Sequence, residues 1–297
     1  MLSLESLAEL CQLHERDLAA EVANFELKGR WFRPYPDISL MGVVNLSPDS
    51  WYRESVVLST DSAIQRGLKL AAEGAKLVDI GAESTILDAE LVNETVQKSA
   101  LLPVVKALSS KGILVSVETY HPSVTAACLE AGAAVLNLTS ATDMETHYRL
   151  VADYDAAVII CYIQGGKNVR DVGDFKFSDD LMNMLYEYFA REIEKATKAG
   201  VRKLWIDPGM GFYYKNLQDS TVRIRHQMNT FLNTFRLRGL GWPICQALPH
   251  AFEFFEEEVR TAEAFFAVLA LLGKTDLLRT HEVTKVRGVC RTMEVFV

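Results

Sequence analysis

Eight short apolar segments alternate with longer segments of helical periodicity from residue 40 onward, and this alternation limits the possible folds most strongly. The segments are LMGVVN (40–45), KLVDI (76–80), ILVSVE (113–118), AVLNL (134–138), AAVIIC (156–161), KLWID (203–207), WPICQ (242–246) and DLLRT (276–280). Continuous apolar strands separated by helices pair in parallel, with both faces of the sheet covered. Eight such units predict an α/β fold, a (β/α)8 TIM barrel. The open alternative is a doubly wound sheet, but the G-x-G-x-x-G motif of a dinucleotide-binding sheet is absent from the sequence.

The segments between the strands have the length and spacing of amphipathic helices. They lie near 61–74, 93–110, 122–132, 143–152, 179–199, 217–238 and 258–273. Several of these helices end in a glycine, at Gly74, Gly112, Gly132, Gly200 and Gly273. A glycine there predicts a C-terminal cap with positive φ.

The first 38 residues differ from the rest of the chain. Apolar positions at helical spacing over residues 1–26 predict an amphipathic helix that docks on the body. Residues 27–38 are interpreted as a linker broken by Pro34 and Pro36. The predicted organisation is therefore an N-terminal helix and linker over 1–38 and a barrel over 39–297. A length of 297 residues also permits two domains, so length alone decides little.

Charge and composition exclude several classes of function. The formal net charge of −8 argues against a nucleic-acid or anionic-membrane partner, which would require a basic surface. The longest apolar stretch, Ala264 to Leu272, is too short to span a bilayer, and no signal peptide is visible. Five widely spaced cysteines without a C-x-x-C pair favour a reducing environment over a zinc site. We therefore predict a cytoplasmic protein.

Polar side chains terminate nearly every predicted strand, where a barrel of this type places its active site. They are Asn45, Asp79, Glu83, Glu118, Asn137, Tyr162, Gln164, Asp207, Gln246, Arg279 and His281. A barrel that needed only stability would not require this pattern. The strand ends are therefore predicted to form a polar ligand site.

The strand-end residues fall into two chemical groups. Glu118, Asn137 and Asp207 offer carboxylate and amide groups that match the row of donors and acceptors on an aminopyrimidinone ring. Arg279 and His281 can donate to an anion. Asn45 can supply an oxygen to Mg²⁺, an ion that prefers oxygen ligands.

Purely structural roles are open for several of these residues. A strand-end Asn or Asp often caps the next helix, which is the alternative interpretation of Asn45 and Asp207. Asp79 is interpreted as holding its turn through Ser84 or Thr85. The remaining histidines are predicted to be helix-surface or capping residues: His14, His121, His147, His226 and His250.

Six segments resemble, in order, the signatures of the dihydropteroate synthase family. They are MGVVNLSPDSW (41–51), VDIGAEST (78–85), SVETY (116–120), AGAAVLNLTS (131–140), WIDPGMGF (205–212) and RTHEV (279–283). The resemblance implies a TIM barrel that condenses 7,8-dihydropterin pyrophosphate with p-aminobenzoate and releases pyrophosphate. Six ordered segments at strand ends are far more specific than any one of them.

The resemblance also implies a role for each matching residue. The pterin would be held by Glu118, Asn137, Asp207 and Phe212. The pyrophosphate would be held, with Mg²⁺, by Asn45, Arg279 and His281. The p-aminobenzoate side would be shaped by loops 47–53 and 84–90, which contain Ser47, Asp49, Ser84 and Thr85. A homodimer through the late helices is expected, and the apolar stretch 264–272 is compatible with it.

Two departures from the family pattern leave other functions open. The family has a Ser-Arg-Lys-Ser stretch after the seventh strand, whereas this chain reads CQALPHAF (245–252) without lysine or arginine. Arg53 and Lys167 are the candidate replacements. The second loop of the family continues with Arg-Pro-Gly after Glu-Ser-Thr, whereas this chain reads ILDAE (86–90). The loss of the lysine and of Arg-Pro-Gly favours a pterin-binding homologue without turnover. A related pterin-dependent methyltransferase is the other alternative, and the retained Arg279 and His281 argue against it.

Overall fold

The computed structural model describes residues 2–47, 59–84, 91–178, 180–211, 214–217 and 219–296. The strands are β1 (Phe25–Leu27), β2 (Arg30–Phe32), β3 (Ser39–Asn45), β4 (Leu77–Gly81), β5 (Leu114–Thr119), β6 (Val135–Leu138), β7 (Ala157–Cys161), β8 (Leu204–Asp207), β9 (Cys245–Ala247) and β10 (Leu277–Thr280). The α-helices are α1 (Leu4–Leu13), α2 (Glu15–Leu18), α3 (Thr60–Glu73), α4 (Glu94–Ser109), α5 (Pro122–Glu130), α6 (Met144–Asp153), α7 (Leu181–Lys198), α8 (Ser220–Asn233), α9 (Phe252–Phe255), α10 (Val259–Leu272) and α11 (Val283–Glu294).

Strands β3 to β10 form one parallel sheet in the order β8-β7-β6-β5-β4-β3-β10-β9. The ends of this order approach each other, because Ile206 and Ile244 form an isolated parallel bridge. The Ile206 N–H also donates to the Pro243 carbonyl at 3.1 Å. The sheet is therefore a nearly closed barrel, and the predicted (β/α)8 architecture is confirmed. All eight predicted segments overlap the observed strands.

The barrel has two apolar layers, as expected when both faces of a parallel sheet are covered. The larger layer lies between the strands and the surrounding helices. The smaller one fills the amino-terminal end of the barrel, with fully or almost fully buried Met41, Leu77, Ile159 and Trp205. This end is packed with side chains, so the opposite, carboxyl end is left for a ligand.

The N-terminal segment differs from the predicted single helix and linker. The helices end at Leu18, and β1 and β2 then form an antiparallel hairpin that pairs Phe25 with Phe32. Both rings pack edge-on against Trp205, with centroids 4.7 and 5.0 Å away, and so cover the amino-terminal end of the barrel. The helical spacing in 1–26 concealed this alternation of buried and exposed residues, which has a period of two.

The hairpin is expected to contribute measurably to stability. We predict that Phe32→Leu lowers the free energy of unfolding by about 1 kcal/mol, because it removes the aromatic contact with Trp205 while retaining most of the buried apolar area. Trp31→Leu is the matched control, since Trp31 is 48% exposed and Phe32 is 3% exposed. Urea unfolding of both variants measures the difference, and equal effects would contradict a docked hairpin.

Four of the predicted glycine caps are confirmed, and one is not. Gly74, Gly112, Gly132 and Gly200 have φ between +74° and +111°. Gly273 instead has φ of −80°. Close packing requires a glycine at position 273, because a Cβ there would lie 1.9 Å from the Phe231 carbonyl oxygen.

The apolar stretch Ala264–Leu272 lies within α10, which buries several of its side chains against the barrel. Phe265 and Leu272 are 41% and 42% exposed on the same helix. Among the described residues, no helix combines the length and apolar character needed to cross a bilayer.

Candidate functional site

A cavity of about 450 Å³ opens at the carboxyl end of the barrel. It is lined by the described residues that the sequence singled out for ligand binding: Asn45, Ser47, Ser84, Glu118, Asn137, Asp207, Arg279 and His281. Asp49, Thr85 and Phe212 lie outside the described residues, so their roles stay predictions. The fold therefore brings the two predicted chemical groups to one place.

The strand register explains how distant sequence positions meet. Asn45 pairs with Gly81, Gly81 pairs with Glu118, and Glu118 pairs with Asn137. These four residues form one row across β3, β4, β5 and β6. Parallel strands in register place their carboxyl ends at one edge of the barrel, so three of the predicted side chains surround a common space.

Arg279 connects two acidic residues at the base of the cavity. Its Nε donates to Asp79 Oδ2 at 2.7 Å, and its Nη2 donates to Glu118 Oε2 at 2.8 Å. The side chain of Asp79 is fully buried, and those of Glu118 and Arg279 are 13% and 17% exposed. An arginine shared between buried carboxylates satisfies charges that would otherwise be costly to bury.

The predicted turn-holding role of Asp79 through Ser84 is wrong. Asp79 Oδ1 accepts from the Ser116 hydroxyl at 2.6 Å, and Oδ2 accepts from Asn137 Nδ2 at 3.2 Å, in addition to the Arg279 contact. The side chain lies inside the barrel among neighbouring strands, so it orients Asn137 and Arg279. The Ser84 carbonyl accepts instead from Arg170 Nη1 at 2.7 Å.

Asp207 both holds a turn and lines the cavity. Its Oδ1 accepts from the Gly209 N–H at 2.8 Å, which holds the turn that follows β8. The same side chain lines the cavity, almost completely buried. Asn137 is held similarly, because its Oδ1 accepts from the Cys161 thiol at 3.3 Å. These contacts fix the side chains before any ligand arrives.

Burial changes the acidity of both cavity carboxylates. It raises the pKa of Glu118 to about 7, with Arg279 opposing the shift and Asp79 reinforcing it. Burial also raises the pKa of Asp207 to about 6, and the Gly209 N–H opposes this shift. Desolvation disfavours the charged form of a carboxyl group. Both groups therefore change protonation state close to neutral pH.

The structure adds two residues that the sequence did not identify. Glu263 of α10 is fully buried, and its Oε1 lies 2.8 Å from His281 Nδ1 and 3.5 Å from His250 Nδ1. His250 lines the cavity, so its predicted surface or capping role is wrong. Two features of the sequence could have identified these residues. His250 lies three residues after β9, within the divergent CQALPHAF segment, and Glu263 is an isolated acidic residue at the start of an apolar helical stretch.

The cationic side chains at the cavity differ from the proposed replacements for the family lysine. Arg223 and Arg279 are the arginines among the described lining residues, and Lys167 is not part of this lining. Arg53 lies outside the described residues. Arg223 Nη2 contacts both carboxylate oxygens of Glu253, at 2.6 and 2.7 Å.

Gln246 does not belong to the cavity, although it was counted among the strand-end residues. Its Nε2 donates to the hydroxyls of Thr234 and Thr275 at 2.7 and 3.0 Å, and its side chain is completely buried. Successive strand residues point to opposite faces. Gln246 consequently links the strand to surrounding segments instead of facing the ligand space.

Comparisons with known proteins agree with this geometry. Residues 41–248 match the family model described as "Pterin binding enzyme". A dihydropteroate synthase from Streptococcus pyogenes is 30% identical over 210 residues, which cover 69% of this chain and 73% of that relative.

Two solved structures are similar over nearly the whole chain. A Xanthomonas albilineans dihydropteroate synthase with 4-aminobenzoic acid has a TM-score of 0.75 and 26% identity, covering 91% of this chain and 97% of the other. A Thermus thermophilus dihydropteroate synthase in complex with 6HMPPP has a TM-score of 0.72 and 25% identity, covering 93% and 100% of the two chains.

Proposed function

This chain belongs to the pterin-binding enzyme family, and from that premise we propose that it is a dihydropteroate synthase of folate biosynthesis. The reaction joins 7,8-dihydropterin pyrophosphate to p-aminobenzoate and releases pyrophosphate. The main observation in support of this proposal is that Glu118, Asn137 and Asp207 line one cavity. Arg279 and His281 line the same cavity. Relatives named dihydropteroate synthase support the same activity.

The three polar side chains are suited to a pterin ring. Ionised Glu118 and Asp207 accept from the ring N–H groups, and the Asn137 amide offers both a donor and an acceptor. Asp207 is held by Gly209, and Asn137 is held by Asp79 and Cys161. Prior fixation of the side chains reduces the entropy that ring binding would otherwise cost.

Arg279 contributes to the binding of both the pterin ring and the pyrophosphate in this proposal. Its Nη2 donates to Glu118. When the ring N–H groups donate to the Glu118 carboxylate in place of Arg279, the guanidinium becomes available to the pyrophosphate. The pterin itself thus prepares the site for its leaving group.

The reaction breaks the bond between the pterin methylene carbon and a pyrophosphate oxygen. The p-aminobenzoate nitrogen forms a bond to that carbon and loses a proton. Arg279 and His281 stabilise the negative charge that develops on the leaving group, where fixed donors are most effective. A side-chain nucleophile is not required by this scheme.

A magnesium ion is part of the same proposal. Asn45 and Ser47 line the cavity and offer the amide and hydroxyl oxygens that suit Mg²⁺, so the residues fit the ion. We assign the direct contact to Asn45. Bound there, Mg²⁺ would neutralise part of the pyrophosphate charge.

A second candidate function, pterin binding without turnover, has one specific observation in its favour. Residues 245–252 contain no lysine or arginine, and both cavity arginines contact carboxylates. Removal of a positive partner from a dry anion site weakens stabilisation of the leaving group. The two functions share the pterin site and differ only in catalysis.

Pyrophosphate release separates these functions. A synthase is expected to release pyrophosphate from 7,8-dihydropterin pyrophosphate only when both p-aminobenzoate and Mg²⁺ are present. Calorimetric titration with the pterin pyrophosphate, with and without p-aminobenzoate, measures binding independently. Binding without any release would select the non-catalytic homologue, and the absence of binding would exclude both.

The affinity for dihydropterin is expected to fall as the pH drops. The raised pKa values, about 7 for Glu118 and about 6 for Asp207, mean that the ligand-free site is increasingly protonated below pH 7. A protonated carboxyl loses an acceptor, so ring binding favours the ionised forms and releases protons. We expect the Kd to rise by up to about tenfold per pH unit for each group below its pKa. Calorimetry at pH 6.5 in two buffers of different ionisation enthalpy measures this release directly, and identical heats would contradict it.

The proposal includes a cytoplasmic homodimer. The exposed Phe265 and Leu272 on α10 are suitable for a contact between subunits. Light scattering of the purified chain tests this, and a mass near 33.2 kDa would identify a monomer.

A further inference from the structure

Beside the pterin cavity, three potential metal ligands come from separate parts of the chain. His250 follows β9, Glu263 belongs to α10, and His281 follows β10. One potential ligand atom from each side chain can be chosen so that all three lie within 4.8 Å of one another. Glu263 Oε1 is 2.8 Å from His281 Nδ1 and 3.5 Å from His250 Nδ1. Ligands of one tetrahedral ion with bonds of about 2.0–2.2 Å lie about 3.3–3.6 Å apart. The 3.5 Å separation fits this geometry, and the 2.8 Å hydrogen bond would have to lengthen by less than about 1 Å when an ion replaces its proton.

The Glu263 carboxylate is already oriented for a single coordinate bond. Its Oε2 accepts from the Thr280 hydroxyl and from the N–H groups of His281 and Glu282, at 3.0 and 3.2 Å for the two N–H groups. Oε1 faces the imidazoles, lies 2.8 Å from His281 Nδ1 and also accepts a longer, 3.2 Å contact from the His281 N–H. Hydrogen bonds that fix one oxygen are typical of groups that orient a metal ligand.

We propose that His250, Glu263 and His281 bind one divalent transition-metal ion of the zinc class. Two imidazoles and one carboxylate form a ligand set found in catalytic zinc sites, with the fourth position left for water or substrate. Both histidines line the cavity, so that position can face the bound ligand. Ring nitrogens suit Zn²⁺ or Co²⁺ better than Mg²⁺, which distinguishes this site from the oxygen ligands at Asn45.

The local backbone supports a functional reason for the position of His250. The next residue, Ala251, has φ of 46° and ψ of 49°, a left-handed conformation that is unfavourable for alanine. Strained backbone of this kind persists where surrounding structure enforces it, often at functional sites.

An ion at this site has a chemical consequence for the cavity. Coordination through His281 Nδ1 places the ring hydrogen on Nε2 and makes that nitrogen a donor. The ion also adds positive charge beside CQALPHAF, the segment without lysine or arginine. Metal binding itself depends only on the three side chains, so it is separable from the proposed synthase activity.

The test is Co²⁺ binding by the full chain, followed by visible absorption and by Zn²⁺ competition after equilibrium dialysis. We expect one Co²⁺ per chain, a tetrahedral-type spectrum, displacement by Zn²⁺ and no displacement by Mg²⁺. Glu263→Gln and His250→Gln should each weaken binding by at least about 100-fold, because loss of an orienting contact alone costs 10–100-fold. Circular dichroism and thermal unfolding verify that each variant is folded.

His121→Gln is the matched control. His121 also pairs with a glutamate, since its Nδ1 lies 3.5 Å from Glu94 Oε1, but this pair is outside the cavity. The control should bind Co²⁺ like the unmodified chain. Equal binding by the control and by His250→Gln, or no stoichiometric binding by the unmodified chain, would overturn the proposal. If Glu263→Gln does not fold, His250→Gln alone decides between these outcomes.

Discussion

Replacement of Arg279 by alanine is expected to lower the free energy of unfolding by about 3–5 kcal/mol, the usual cost of leaving a buried charge without its partner. Arg279 donates to Asp79 at 2.7 Å and to Glu118 at 2.8 Å. Without the guanidinium, these two carboxylates face each other in a buried site. Urea unfolding at pH 8, above the pKa of about 7 for Glu118, measures the loss.

Arg223→Ala is the control for the loss of an arginine at the same cavity. Its partner Glu253 is 46% exposed, so water can replace the lost contact, and we expect a change of less than about 1 kcal/mol. In binding experiments Arg279→Ala should weaken the pterin pyrophosphate far more than the free pterin. Comparable destabilisation by the two variants would contradict the buried network, and equal losses for the two ligands would contradict the assigned anion contact.

The second large effect is expected for Asp207→Asn, which should reduce pterin affinity by at least about 100-fold. Hydrogen bonds to charged groups contribute about 1.5–3 kcal/mol, and a ring donor left facing an amide N–H adds a further penalty. An asparagine oxygen can still accept from the Gly209 N–H, so the turn after β8 is retained. Asp207→Ala should abolish binding, since it removes the turn contact as well.

Glu253→Gln is the matched control for Asp207→Asn. Glu253 also lines the cavity, but it is partly exposed and pairs with Arg223. Calorimetric titration of dihydropterin into both variants, with thermal unfolding as the test of folding, gives the comparison. Retained affinity in a folded Asp207→Asn protein would remove Asp207 from the ring-binding group.

The barrel was predictable because its information is local and repeated. Each buried strand is a short apolar run, and four of the helices between the strands end at a glycine with positive φ. The strand-end positions of Glu118, Asn137 and Asp207 follow from the same repeat. Their common cavity could be predicted because parallel strands end at one edge of a barrel.

The wrong predictions concern contacts between distant segments. The Asp79 carboxylate was expected to serve its own turn, yet it bonds to Ser116, Asn137 and Arg279 on other strands. The N-terminal hairpin depends on the aromatic surface of Trp205, which lies far away in sequence. Gly273 is required by the proximity of Phe231 and not by its own φ.

The order of strands and helices, the closed parallel architecture and the family of the chain could all be inferred from the sequence, because periodicity and ordered motifs depend on neighbouring residues. The contacts between side chains on different strands and helices became known from the three-dimensional arrangement alone. Glu263 meets His250 and His281, and Arg279 joins Asp79 to Glu118, because barrel closure brings together strand ends separated by up to 200 residues. Such contacts depend on distances of a few ångströms across the barrel, which no local pattern of residues encodes.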